Sequence, residues 1–171
     1  MKSSLQLRIL VADDHFVVRE GLRSILRREP DLAVAGEAAN GQEAVDAHSR
    51  LDPDVTIMDS RMPVCGGVEA IRRIRIKHPQ ARILVLSNFE GDEDIHAALS
   101  AGAMGYLLKH SSGDQIVPAI RALMKGNQWI PPEVAGHLAA RGRGEILSAR
   151  EREIVHSLAL GEANKQIGDA W

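Results

Sequence analysis

Short apolar runs alternate along most of this chain with stretches in which apolar residues recur every three or four positions. The runs are Leu7–Ala12, Leu32–Val34, Val55–Met58, Ile83–Leu86 and Gly105–Leu108, each short enough for a buried strand. Val18, Leu22, Ile25 and Leu26 mark one amphipathic helix, Val68, Ile71 and Ile74 another, and Ile116, Ile120 and Leu123 a third. Strand and helix alternate five times, with connections too long for hairpin turns, which predicts a parallel sheet covered on both faces. Right-handed crossovers then favour a doubly wound five-stranded α/β sheet of order 2-1-3-4-5.

This pattern ends at Lys125. The segment 126–147 contains Pro131, Pro132, Gly142 and Gly144, and reads as a partly ordered linker rather than a continuous helix. Periodicity resumes at Ser148, where Ser148 and Glu151 match a capping box and Ile154, Val155 and Leu158 form an apolar stripe. A second short helix is expected over Ala163–Ala170. Two helices of this size cannot close a core alone, because domains below about 40 residues need a metal, disulfides or a partner. Residues 148–171 therefore read as a short helical extension, incomplete as a domain.

Composition narrows the picture by exclusion. With 23 acidic and 21 basic side chains the net charge is −2, so no bulk attraction to nucleic acid is expected. The lone Cys65 excludes an internal disulfide and a thiolate zinc site, which suits a reducing compartment. The amino-terminal apolar run is short and broken by Arg8, unlike a signal peptide or a membrane span, so a cytoplasmic location without membrane contact is expected.

In a doubly wound sheet, ligand-binding groups collect beyond the carboxyl ends of the strands. Asp13 and Asp14 follow the first strand, Asp59 the third, Ser87 the fourth and Lys109 the fifth. Three convergent carboxylates repel one another unless a proton or cation compensates, and a small set of oxygen ligands suits a hard divalent ion such as Mg2+. Such an ion would draw phosphoryl oxygens toward an attacking carboxylate, with Lys109 as a point charge and the Ser87 hydroxyl as a donor. Singly, each residue has a plainer use: Asp13 and Asp14 as helix caps, Asp59 as a turn former before Pro63, Lys109 as a solvated cation. Their joint placement at four strand ends is what points to chemistry.

Residues 7–125, through RILVADDH, VTIMDSRMPVCGG, ILVLS and AGAMGYLLK, resemble the receiver domain of two-component response regulators, a flavodoxin-like fold. Ser87 lies 28 residues and Lys109 50 residues beyond Asp59, as that family requires. The resemblance implies that Asp59 accepts a phosphoryl group from a phosphohistidine of a sensor histidine kinase. It implies that Asp14, Asp59 and the backbone carbonyl of Arg61 ligate Mg2+ directly, with Asp13 helping through water. Ser87 would turn toward the phosphate and Tyr106 would move in concert. Pro63, Gly66 and Gly67 resemble the family's rigid-then-flexible loop, Gly67 being the candidate for a backbone angle barred to other residues. His110 departs from the family, which often has proline or an acidic residue there. The resemblance also implies dimerisation on phosphorylation and no enzymatic activity beyond self-phosphorylation and autodephosphorylation at Asp59.

Residues 146–170 resemble the start of the four-helix DNA-binding domain of the NarL/LuxR group, with ANKQIG in the support helix of a helix-turn-helix. In that family a recognition helix follows and enters the major groove. From Arg141 onward five basic residues balance five acidic ones, without the positive excess that phosphate contacts favour. DNA is thus the partner expected of full-length relatives, while this chain, ending at Trp171, is expected not to bind DNA specifically. A stand-alone receiver acting through protein contact is the alternative. A Mg2+-dependent phosphoryl-transfer enzyme of haloacid-dehalogenase-like chemistry is less favoured, since its general-acid aspartate would fall at Arg61.

Overall fold

The computed structural model describes residues 6–88, 91–110 and 113–141. Five parallel strands, β1 (Leu7–Ala12), β2 (Leu32–Ala38), β3 (Val55–Asp59), β4 (Ile83–Ser87) and β5 (Gly105–Leu108), form one sheet of order β2-β1-β3-β4-β5. This is the expected doubly wound order. The connections carry α1 (Phe16–Leu26), α2 (Gly41–Leu51), α3 (Gly67–Lys77) and α4 (Asp92–Ala101), and α5 (Ile116–Met124) follows β5.

Successive strand residues point to opposite faces, and the two cores follow that alternation. Ile9, Val11, Ile57, Leu84, Leu86 and Leu107 meet Leu22 and Leu26 of α1 and Ile120 and Leu123 of α5. Ala12, Met58, Ile83, Val85 and Tyr106 meet the other layer, through Val45 of α2, Ile71 and Ile74 of α3, and Ile95 and Leu99 of α4. The central strands β1, β3 and β4 are buried on both faces, which is why they read as nearly unbroken apolar runs.

Two helices had no strong stripe in the sequence. The inward face of α2 is built from Ala44, Val45, Ala47 and His48, small or polar residues with little hydrophobic contrast. Its start is instead marked by a cap: Asn40 Oδ1 accepts from the Glu43 N–H at 2.9 Å, while Glu43 Oε2 accepts from the Ala39 N–H at 2.8 Å. Helix α4 is carried inward by Ile95, Ala98 and Leu99 and stops at Gly102, whose φ of 113° suits glycine.

The expected linker contains a continuous helix, α6 (Pro132–Arg141). Its prolines do not interrupt it: Pro132 occupies the first helical position, where no N–H is needed, and the Pro131 carbonyl accepts from Ala135 at 2.9 Å. Ile130, Val134 and Leu138 are buried against the layer containing α4, and His137 Nδ1 lies 2.6 Å from Asp92 Oδ1 at the start of α4. Trp129 extends the sheet edge, exchanging backbone bonds with Met104 and Tyr106 at 3.1 and 3.0 Å. Leu138→Ala is expected to weaken this docking by about 2–4 kcal/mol, seen as faster amide exchange over residues 134–141 with little change in the central strands. The helices expected over Ser148–Leu160 and Ala163–Ala170 lie outside the described residues.

Candidate active site

The carboxyl ends of β1, β3, β4 and β5 open on one edge of the sheet. Asp13 is nearly inaccessible, at 1% exposure, and is held by backbone contacts: its N–H donates to the Ala38 carbonyl at 3.1 Å, and its carbonyl accepts from Arg19 Nη1 at 2.7 Å. Arg19 is braced in turn by Glu37 of β2 through a 3.1 Å bond from Nε, and Arg23 pairs with the same carboxylate. Asp59, at 4% exposure, ends β3. Lys109, just past β5, places Nζ 2.6 Å from Asp13 Oδ2 and 3.2 Å from Asp59 Oδ2.

Ligand oxygens of Asp13, Asp14 and Asp59 lie within 4.8 Å of one another, together with a ring nitrogen of His15. Burial, and then the neighbouring Asp13 charge, push the Asp59 carboxyl above its ordinary range, while Lys109 pulls it back. One ammonium cannot balance three carboxylates. Asp13 Oδ2, although beside Lys109, accepts no hydrogen bond of normal geometry. Buried oxygen donors, surplus negative charge and an unsatisfied oxygen fit a divalent cation.

Ser87 stands over the neighbouring wall. Its Oγ lies 2.7 Å from Ser60 Oγ, and the wholly buried Tyr106 hydrogen-bonds to Ser87. Burial raises the Tyr106 phenol above its usual value, with the Ser87 bond opposing. The Arg61 N–H is 3.4 Å from Asp59 Oδ1, and its guanidinium Nη2 sits 3.0 Å from both oxygens of Asp94 in the first turn of α4. Asp13, Asp14, Asp59 and Lys109 are thus gathered into one pocket, and Ser87 with Tyr106 into an adjoining hydroxyl network. Ser60, His15 and Asp94 were not singled out in the sequence. Ser60 follows Asp59 directly, but only the fold shows that it meets a serine 27 positions away.

The loop after β3 corrects one expectation. Gly67 does not adopt the left-handed angle; Val64 does, with φ of 67°. What Gly67 provides is room, since a Cβ there would lie 1.9 Å from the Asp59 carbonyl oxygen. Gly41, at the start of α2, performs the same service for the other end of the loop: its N–H donates to the Cys65 carbonyl at 3.0 Å, and a Cβ would approach that oxygen to 2.0 Å.

Residues 9–121 match the family described as the response regulator receiver domain. The chain belongs to the response-regulator family. Its receiver is of the NarL/LuxR type. It is 39% identical to the transcriptional regulatory protein LiaR of Bacillus subtilis, over 95% of this chain and 81% of LiaR. It is 36% identical to the response regulator VraR of Staphylococcus aureus, over 97% of this chain and 82% of VraR. A LuxR-family two-component response regulator from Aurantimonas sp. SI85-9A1 superposes with a TM-score of 0.76 at 38% identity, covering 82% of this chain and 99% of that one. The acidic pocket of this response regulator is accordingly suited to receiver chemistry, phosphorylation and dephosphorylation of an aspartate, and to holding a divalent cation. Among the described residues no helix is long and apolar enough to cross a membrane.

Proposed function

We propose that Asp59 is the phosphoacceptor of this response regulator, taking its phosphoryl group from a phosphohistidine of a sensor histidine kinase. The observation that carries this reading is the Lys109 ammonium set between two buried carboxylates, 2.6 Å from Asp13 and 3.2 Å from Asp59. An Asp59 carboxylate oxygen attacks phosphorus in line as the bond to the histidine nitrogen breaks. The imidazole leaves with that electron pair, and an acyl phosphate forms. Asp14, Asp59 and the Arg61 carbonyl would hold Mg2+, with Asp13 beside it; when bound, the ion supplies positive charge to the phosphoryl oxygens.

The chain's own groups do the rest. Lys109 exchanges its contact with Asp59 for one with a phosphoryl oxygen. Ser87 leaves Ser60 and donates its hydroxyl to another, and Tyr106, hydrogen-bonded to Ser87, repacks with it against α4. Pairing of two copies belongs to the same reading, as does a cytoplasmic place of action, which the unpaired Cys65 supports. Regulation of transcription is the output that LiaR's name supports.

The test is phosphoryl uptake from acetyl phosphate, followed by intact mass. Lys109→Ala and Ser87→Ala are expected to slow uptake tenfold or more, and uptake at the unmodified rate in Lys109→Ala would reject the reading. A thermal measurement accompanies it. Asp59→Asn relieves the burial of a charge and its repulsion by Asp13, and should raise Tm of the metal-free protein. Mg2+ should stabilise the unmodified protein and leave Asp59→Asn nearly unchanged; equal stabilisation of both would place the ion elsewhere.

A further inference from the structure

Helix α1 carries an arginine that reaches back to the strand it follows. The ladder of β1 with β2 and β3 ends at Ala12, so the Asp13 carbonyl falls beyond it and takes its donor from elsewhere. Arg19 supplies that donor: Nη1 donates to the Asp13 carbonyl at 2.7 Å, while Nε donates to Glu37 Oε2 of β2 at 3.1 Å. Only 15% of the Arg19 side chain is exposed, and its Cζ lies 5.8 Å from the centre of the Phe16 ring. Contacts from three directions leave this guanidinium one place to sit.

The carbonyl that Arg19 grips belongs to the peptide joining Asp13 to Asp14. Fixing that peptide sets the direction in which both carboxylates leave the chain. The turn is held on its other side by the His15 N–H, which donates to Asp13 Oδ1 at 2.8 Å. Net charge is not what Arg19 brings. Arg19 and Arg23 both pair with Glu37, and Arg23 also lies 3.2 Å from Glu20, so two cations face two carboxylates and the group is neutral as a whole. Its contribution to the pocket is geometric.

We propose that Arg19, braced by Glu37, is a positioning residue for cation binding, holding the Asp13–Asp14 peptide so that both carboxylates meet an ion without rearranging. The inference rests on the reading of Asp14 and Asp59 as groups that hold Mg2+, and adds a residue outside the pocket on which their alignment depends. Ligands fixed by supporting hydrogen bonds before the ion arrives bind it more tightly, because the cost of ordering them is already met. At saturating Mg2+ the ion itself holds the turn. The loss of Arg19 is therefore felt in the Mg2+ requirement and not in the maximal rate of phosphoryl uptake.

The experiment titrates Mg2+ into the metal-free full chain, following heat, and repeats acetyl phosphate uptake across the same Mg2+ range. Arg19→Ala is expected to weaken Mg2+ binding about tenfold and to raise the half-saturating Mg2+ for uptake by the same factor, with an unchanged maximal rate. Arg19→Lys keeps the charge but lacks the planar fork that spans carbonyl and carboxylate, so binding should weaken about threefold; this variant carries the test if Arg19→Ala does not fold. Arg121→Ala is the control. It removes an arginine held 2.7 Å from Glu29 and 3.2 Å from Asp31, ahead of β2 at the opposite end of the sheet, and should cost stability without changing Mg2+ affinity. Parent-like Mg2+ binding in the Arg19 variants overturns the proposal, as does an equal loss in Arg121→Ala or a lowered maximal rate at an unchanged Mg2+ requirement. Asp14→Asn separates the two readings. Mg2+ binding that survives it intact sinks the cation pocket and this proposal together, whereas binding weakened by Asp14→Asn but not by the Arg19 variants sinks the Arg19 assignment alone.

Discussion

Gly67→Ala will destabilise the protein by about 2–3 kcal/mol, whereas Gly66→Ala, one residue away, will stay within about 0.5 kcal/mol of the parent. A Cβ on residue 67 would stand 1.9 Å from the Asp59 carbonyl oxygen and 3.0 Å from the Ser60 carbonyl carbon, both backbone atoms that no side-chain rotation can move away. A Cβ on residue 66 meets nothing within 4 Å, and its φ of −63° is open to any residue. The cost therefore measures how closely α3 is drawn onto the end of β3. Because the displaced atoms belong to Asp59 itself, Gly67→Ala should also slow phosphoryl uptake at least tenfold, while Gly66→Ala retains it. Urea unfolding and an uptake time course test both arms; equal stabilities for the two variants would show that the loop yields freely.

His48 gives the second large effect. It is 2% exposed, its Nδ1 is 3.0 Å from Thr56 Oγ1, and its ring lies 5.0 Å from that of His78. Burial, followed by the neighbouring His78 charge, lowers its pKa from 6.5 to about 4, with Asp52 opposing. The folded state thus keeps His48 neutral while the unfolded chain takes up a proton below about pH 6.5. Stability from this group is complete above that pH, is lost as pH falls toward 4, and stays lost below. Between pH 7.5 and 4.5 the loss is about 2–3 kcal/mol. His48→Gln forfeits the packing at both pH values and, because glutamine does not titrate, escapes the acid loss, so its deficit relative to the parent should shrink by that amount at pH 4.5. Paired urea titrations decide the matter, and a deficit independent of pH would contradict it.

The sheet was legible because β1, β3 and β4 are buried on both faces and leave apolar runs that only a covered strand tolerates. The apolar run of β2 stops at Val34 while the strand continues to Ala38, since Gly36 and Glu37 carry no apolar signal at an edge. Helix α6 was hidden by its two prolines, which mark a helix start as readily as a break; only the burial of Val134 and Leu138 distinguishes the cases. At the pocket, Asp13, Asp14, Asp59 and Lys109 were legible because strand ends are set by topology. Ser60, His15 and Asp94 were not, because their meaning lies in contacts: a hydroxyl facing Ser87, a ring folded over two carboxylates, a carboxylate gripping Arg61. Gly67 stands out in the sequence, but its physical reason does not, since sequence alone cannot separate a glycine needed for its angle from one needed for its missing Cβ.

The central claim is that a phosphoryl group resides on Asp59. Treating the protein with Mg2+ and acetyl phosphate, then reducing with borohydride, converts an aspartyl phosphate to homoserine, and peptide mass spectrometry locates the change. The account predicts homoserine at position 59 in the peptide spanning β3, with none formed when Mg2+ is withheld or in Asp59→Asn. Homoserine at Asp13 or Asp14 instead, or a phosphoryl group that persists in Asp59→Asn, would contradict it.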